Sequence, residues 1–323
     1  MRKNKLKLSF MQFIFFTGIF SLHLNFAYAE NFAISILISC QIKPYDLALE
    51  GFLEGLEEKG YKENTNLNIT YYNIAKKELD IIKEVKTKNP DLILTIGTEA
   101  TNLAYEGIDD IPVVFSMVLN PGKYKVVKSM ESLGNNFTGA SMDISVETQF
   151  ERLKMVMPPI KKIGVLYNPK TTGELIEEAK LAALKAGLEL VTAIINTQQD
   201  VPKEVRGLVG KVDALWMAAD KTVLTKESSR FILEFTLKEK IPCLGYSSMA
   251  VKAGALLALD CDYKDIGRQS GELACSILRG SKPYELPVTV PREILLVVNL
   301  KSAKWLGIEV PDDVLKKASE IFK

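Results

Sequence analysis

The residues best placed to do chemistry lie in DLILTIGTEATNLAYEGIDDIPVVFSMV, Asp91 to Val118. Thr98 and Glu99 directly follow Gly97, and Ser116 to Asn120 end the next apolar run. A hydroxyl at a helix start, beside free backbone N–H groups, suits a carboxylate, because the helix dipole favours negative charge there. The same hydroxyl also serves as an ordinary N-cap, and one residue can do both. Ser116 offers a second hydroxyl to the same anion, or bonds its own backbone. This is recognition chemistry rather than catalysis. The only histidine, His23, lies in a segment expected to be removed, so the mature chain has no imidazole base and no histidine metal ligand. Cys40, Cys243, Cys261 and Cys275 form no CxxC and fit no zinc spacing. A Cys243–Cys261 bridge is open to an exported protein, but four unpaired buried thiols is the simpler expectation. No carboxylate pair with catalytic spacing is visible, so neither an enzyme nor a cofactor is expected.

These groups are positioned by a strand–turn–helix–strand unit. Leu92 to Ile96 is a short apolar run of the kind a sheet covered on both faces uses, and Gly97 breaks it. Glu99 to Tyr105 reads as a helix, and Ile111 to Val118 as the next strand, with Pro112 where a strand tolerates a missing N–H. Such a βαβ unit is right-handed, and ligands collect at the carboxyl ends of its strands. Before it come a strand over Phe32 to Ser39, a helix closed by Gly60, a strand over Leu67 to Tyr72 and a helix marked by Leu79, Ile81, Ile82 and Val85. After it come a polar loop (Leu133 to Phe137) and TGASMDI, Thr138 to Ile144, read as the first crossing between two lobes.

The pattern then begins again. Helices are expected at Thr148 to Met157, Glu174 to Ala186, Val201 to Leu208 and Ser228 to Lys240. Strands are expected at Lys162 to Tyr167, Glu189 to Ile195, Ala214 to Ala218 and Ile241 to Gly245, with Asn168-Pro169 as a turn. IPVVFSMV in the first half answers IPCLGYSS in the second, which marks a duplication of fold. An amphipathic helix within Asp262 to Gly280, a strand over Ile294 to Asn299 and a short helix from Lys301 complete the chain. The expected class is α/β, as two lobes joined by short crossings.

The amino-terminus sets the compartment. Arg2, Lys3, Lys5 and Lys7 precede the apolar run Leu8 to Phe26, and Ala27-Tyr28-Ala29 is a small-x-small cleavage site. Together they form a secretory signal peptide with a mature start at Glu30, the alternative being an uncleaved anchor. Leu37-Ile38-Ser39-Cys40 has the look of a lipid-attachment box but lies well past the apolar run and reads as core strand. The 41 basic and 40 acidic residues leave no charge excess and no basic stripe, which argues against nucleic acid. About 290 mature residues exceed one ordinary core, and a 47% hydrophobic content suffices for two.

Five stretches in order carry a family resemblance: DLILTIGTEATNLA…IPVVFSMVLNP, KIGVLYNP, DALWMAADKTV, IPCLGYSSMAVKAGALLALDCDYKDIGRQSGELACSILRG and ILLVVNLKSAKWLGIEVP. From about Phe32 to Pro311 the chain resembles the solute-binding proteins of ABC importers, in the branch of tryptophan and tyrosine binders. The resemblance implies a type I periplasmic-binding fold of two Rossmann-like lobes with a three-segment hinge. It places residues 30–144 plus 262–283 in the first lobe and 145–261 plus 284–323 in the second. It also implies a periplasmic monomer that captures a small solute, an aromatic or branched amino acid, and delivers it to a membrane permease and ATPase. A sensor working through a membrane receptor, or a binder of a sugar or nucleoside, are the alternatives.

In such a fold the ligand meets strand-end loops of both lobes. Thr98, Ser116 and Asn120 then face Asp220, which would pair with an ammonium or act as an N-cap. Tyr45, Tyr167 and Tyr246 would supply aromatic walls or pack on their own lobe. Ser247 adjoins the last of these, and Asp262 lies at a crossing. Relatives commonly carry asparagine where this chain has Lys221 and proline where it has Glu99, which leaves the ligand open; Glu99 would favour an amine.

Overall fold

The computed structural model describes residues 31–76, 80–122 and 136–323. The expected signal segment, Leu79 and most of the loop before Phe137 lie outside them. The first half runs β1 (Phe32–Ile38), α1 (Lys43–Glu57), β2 (Leu67–Asn73), α2 (Ile81–Lys88), β3 (Leu92–Ile96), α3 (Thr98–Gly107), β4 (Val113–Val118) and β5 (Phe137–Ser141). All its strands are parallel, in the order β2-β1-β3-β4-β5. Strand alternation sorts the apolar side chains onto two faces. Ile34, Ile36, Leu92, Leu94 and Val114 meet α1 on one face through Ala48, Phe52 and Leu56. Leu37, Ile93, Val113 and Phe115 meet α2 and α3 on the other through Val85, Ala100 and Ala104. Because both faces are covered, β3 and β4 are buried at every residue, which is why they read as unbroken apolar runs.

The second half continues with α4 (Val146–Val156), β6 (Lys162–Tyr167), α5 (Pro169–Lys185), β7 (Glu189–Ile194), α6 (Val201–Gly207), β8 (Ala214–Trp216), α7 (Lys226–Lys238), β9 (Cys243–Gly245), α8 (Ser248–Lys252) and β10 (Leu257–Cys261). The chain ends with α9 (Tyr263–Leu278), β11 (Ile294–Asn299), α10 (Leu300–Leu306), α11 (Asp312–Lys317) and β12 (Glu320–Phe322). The second sheet is ordered β12-β11-β10-β9-β8-β6-β7. From its β7 edge the strands β7-β6-β8-β9-β10 repeat the order of the first sheet, so both lobes are doubly wound with a switch point beside their first strand. The duplication expected from the paired I-P strands is present in the topology.

Helix α9 follows the second sheet in sequence but packs on the first, against α1 and β4. The two helices meet backbone to backbone. A Cβ on Gly267 would lie 1.9 Å from the Ala48 carbonyl oxygen, and one on Gly51 1.9 Å from that of Lys264. Gly55 and Gly271 extend the contact one turn further. Lys264 bridges Glu50 (2.7 Å) and Glu54 (2.8 Å) along its edge, and Arg268 pairs with Glu54 and Glu58.

Three short crossings join the sheets: residues 142–145, the Cys261–Asp262 junction, and residues 290–293. They are tied together. Thr289 exchanges hydrogen bonds with Gly139 and Ser141, and Cys261 pairs with Ile294 across the β10–β11 ladder. Residues 286–289 therefore run along β5 before the chain rejoins the second sheet.

Several local expectations change. TGASMDI is not simply a crossing: Phe137–Ser141 is the fifth strand, and only 142–145 crosses. Helix α4 starts at Val146, because the Ser145 hydroxyl accepts from the Thr148 amide (3.2 Å). Asn168-Pro169 opens α5 instead of forming a free turn, with the Asn168 side chain as cap and proline at its preferred first position. α8, α11 and β12 were not expected. All four cysteines are free thiols.

Candidate functional site

The carboxyl ends of β1, β3 and β4 bring together four expected residues. Gly97, at φ +90°, leaves β3, and its amide donates to the Ser116 carbonyl (2.9 Å). A Cβ here would meet the Tyr45 hydroxyl at 2.5 Å and the Ser39 hydroxyl at 2.7 Å, so only glycine fits between the two. Thr98 is the first residue of α3 and not its cap. The cap comes from Ser39 at the end of β1, whose Oγ accepts from the Ala100 amide (2.9 Å). The sequence reading missed Ser39, because a cap is normally sought next to its helix. Thr98 is half-buried and Glu99 exposed. Burial, then the nearby Glu99 and Cys40, push the Tyr45 phenol up to about 12. Ser116 is fully buried, and its Oγ has no hydrogen-bond partner among the described residues.

Asp220 behaves differently from expectation. It is 1% exposed, and five donors converge on its carboxylate. Oδ2 accepts from the Asn168 amide (2.8 Å) and the Thr171 (2.7 Å) and Thr172 (2.5 Å) hydroxyls. Oδ1 accepts from the Thr222 (2.8 Å) and Val223 (3.2 Å) amides. Burial alone would raise its pKa, but the bonds from Thr172, Thr171, Asn168 and Thr222 outweigh it and hold the carboxyl below its ordinary value. A saturated carboxylate fastens the start of α5 to the loop after β8 and has no free lone pair to offer an ammonium. Asp262 is likewise a cap: exposed, with Oδ1 accepting from Lys264 (2.9 Å) and Asp265 (3.2 Å) amides at the start of α9. Tyr167 is half-buried against the core of its own lobe.

The space between the lobes lies beside the crossings. A cavity of about 250 Å³ is lined from the first half by Asn120, Met142 and Asp143, and from the second by Gln149, Trp216, Tyr246 and Ser247, with Tyr263 from α9. A second cavity of about 570 Å³ shares Asn120, Asp143, Ile144 and Leu175 with it and adds Glu174 and Glu178. Of the expected residues, Asn120, Tyr246 and Ser247 line this space. Tyr45, Thr98, Glu99, Ser116, Tyr167, Asp220 and Asp262 do not.

Four lining groups stand outside the expected ligand set. Trp216 ends β8 and is 2% exposed. Its ring stands edge-on to Phe150, with centroids 5.2 Å apart, and its Nε1–H donates to Gln149 (2.9 Å). Asp260 accepts from the Ser248 (2.8 Å) and Cys261 (2.9 Å) amides, and so caps α8. Burial and then Asp260 push the neighbouring Tyr263 phenol far up, so it stays protonated. Asp143 accepts the Asn120 amide through both oxygens (2.9 and 3.0 Å), at a left-handed residue with φ +50°. Burial raises its pKa; the Asn120 and Ser141 bonds oppose this, and Glu178 adds to it. Asp143 is thus a buried cavity carboxylate with acceptor capacity to spare. A signal was present in the sequence, since DALWMAAD ends its strand in a large aromatic, as a cleft wall would.

Residues 33–322 match the family model described as ABC transporter substrate binding protein. The chain is similar to the Tyrosine-binding protein of Clostridioides difficile (strain R20291), 32% identical over 286 residues that cover 87% of this chain and 81% of that protein. It is also similar to the ligand-free, open structure of a substrate binding protein with adhesive properties from Clostridium difficile, at 29% identity and a TM-score of 0.78, covering 90% of this chain and 99% of that one. A third likeness is to the ABC domain in complex with L-Trp from Streptococcus pneumonia, at 29% identity and a TM-score of 0.75, covering 91% and 100% of the two chains.

Proposed function

The chain belongs to the ABC transporter substrate-binding protein family, and from that premise we propose that it captures a free aromatic amino acid between its lobes and delivers it to an importer's permease and ATPase. One observation carries the ligand class: Trp216, Tyr246 and Tyr263 meet Met142, Leu175 and Leu259 around the interlobe cavity. Flat apolar faces with a few polar groups suit an aromatic side chain. The relatives support the reading, one being named for tyrosine and one holding L-Trp.

In this reading Asp143 takes the ligand's ammonium in place of Asp220, while Asn120 and Ser247 border it. Thr98 and Ser116 remain the groups for the carboxylate, brought to it as the lobes close over the ligand. The unpaired Ser116 hydroxyl and the first N–H groups of α3 support that role. Tyr45 braces this wall from beneath, and Glu99 stands at the entrance. The lobes are 30–144 plus 262–283 and 145–261 plus 284–323, although the Thr289 pairing argues for ending the first lobe's share near residue 289. The proposal includes export with cleavage after Ala29 and action as a monomer without nucleic acid. The protein binds and delivers; it does not transform its ligand. Neither the sensor reading nor the sugar or nucleoside reading has an observation in its favour.

The test is a calorimetric and thermal-shift comparison of L-tyrosine, L-tryptophan, L-phenylalanine, L-leucine, ribose and a nucleoside on residues 30–323. An aromatic amino acid at 100 times its dissociation constant should add about 2.7 kcal/mol of stability. A shift with ribose or the nucleoside and none with any amino acid refutes the reading.

A further inference from the structure

Trp216 is fixed to the hinge through one side chain. Gln149, on the first turns of α4, uses both ends of its amide. Its Oε1 accepts the Trp216 indole proton at 2.9 Å, and its Nε2 donates to the Ile144 carbonyl at 2.8 Å. Ile144 belongs to the first crossing, and Ile144, Gln149 and Trp216 all line the interlobe cavity. An unbroken chain of hydrogen bonds thus runs from a hinge peptide to the aromatic wall. The edge-on contact with Phe150 packs one side of the indole, and the bond to Gln149 fixes where its N–H points. A buried indole N–H without an acceptor would turn toward water.

We propose that Gln149 is a positioning residue that sets the plane of Trp216, selects flat aromatic ligands over aliphatic ones, and couples the ring to the hinge. It rests on the reading that the cavity holds an aromatic amino acid. Lobe closure changes the crossing at 142–145, and the Ile144 carbonyl carries that change to the ring through one side chain. A ligand ring stacked against Trp216 in turn favours the crossing geometry that orients the indole, and that differential contact is what a ligand needs to shift a two-state equilibrium.

The test uses the full mature chain with Trp305→Phe, which leaves Trp216 as its single indole, since the sequence holds two tryptophans. In the ligand-free protein, Gln149→Leu should red-shift the indole emission and raise its acrylamide quenching at least two-fold. Gln149→Glu keeps an acceptor for the indole and should restore the parent emission. With ligand, Gln149→Leu should lose at least ten-fold in affinity for L-tyrosine and L-phenylalanine, and less than two-fold for L-leucine. Gln149→Glu, which cannot donate to Ile144 when ionised, should keep the emission but show a smaller ligand-induced emission change. Unchanged emission in Gln149→Leu, or an equal loss for aromatic and aliphatic ligands, overturns the proposal. Failure of the parent protein to bind any aromatic amino acid refutes the ligand reading instead, and the ligand-free emission still decides whether Gln149 holds the ring.

Discussion

Replacing Asp220 by alanine separates a structural carboxylate from a ligand group. Of its five donors, the Thr171 and Thr172 hydroxyls have the Asn168 carbonyl within 3.1 and 3.4 Å, and the Val223 amide also has the Asp220 carbonyl at 3.1 Å. Among the described residues, the Asn168 and Thr222 amides have only the carboxylate. At about 1.5–3 kcal/mol for each hydrogen bond to a buried charged group, two stranded donors cost roughly 3–6 kcal/mol. For a protein of this size that is a fall in melting temperature of at least about 6 °C. Urea and thermal unfolding measure the loss, and titration with L-tyrosine measures binding on the surviving folded fraction. Affinity should stay within a factor of three. The depressed pKa gives the effect a pH signature. Asp220's contribution is full above the unfolded value of about 3.9 and fades as pH falls through the lower folded value, so variant and parent should converge in acid. A variant that melts with the parent yet no longer binds tyrosine would return Asp220 to the ligand and refute the argument from saturation.

Three further outcomes follow from the same geometry. Gly267→Ala drives a methyl into the Ala48 carbonyl and should cost about 1–3 kcal/mol of stability, whereas Gly207→Ala, at a helical position with nothing within 4 Å, should not lower the melting temperature. Ser39→Ala removes the acceptor of the Ala100 amide and should cost about 1 kcal/mol, read by faster amide exchange in the first turn of α3. Asp143→Asn keeps an acceptor for the Asn120 amide and removes a charge that burial disfavours. A raised folded pKa favours the folded state below the ordinary value of 3.8 and loses that advantage as pH rises, so the asparagine variant should melt higher at pH 7 and match the parent below 3.8. The same variant should lose at least ten-fold in tyrosine affinity by calorimetry.

Local features of the fold were legible, and long-range ones were not. β3, β4 and β6 declare themselves as apolar runs because both faces of each sheet are covered, and the paired I-P strands announce the duplication. That α9 packs on the first sheet came only from the family resemblance; the glycine spacing in GFLEG and GRQSG, which lets the helices touch, had gone unread. The site suffered most from distance in sequence. Ser39 caps a helix whose donating amide lies 61 residues away, and Thr171 and Thr172 reach Asp220 from 49 and 48 residues away. From sequence, an aspartate after an apolar strand looks available to a ligand; only the fold shows its lone pairs already taken. Asp143 was not among the residues expected to meet a ligand, and its spare acceptor capacity emerges only beside the cavity.

The crossings, considered as a linkage, are unequal. Two of them are four-residue straps, at 142–145 and 290–293. The other has no slack, since Cys261 ends a strand of the second sheet and Asp262 already caps α9, which is locked backbone to backbone onto α1. Any swing of one lobe against the other must therefore turn about that single peptide, as a gate turns on a pin, while the straps limit its travel. Lengthening a strap by one residue would widen the arc. Lengthening the pin would disconnect the gate from its post.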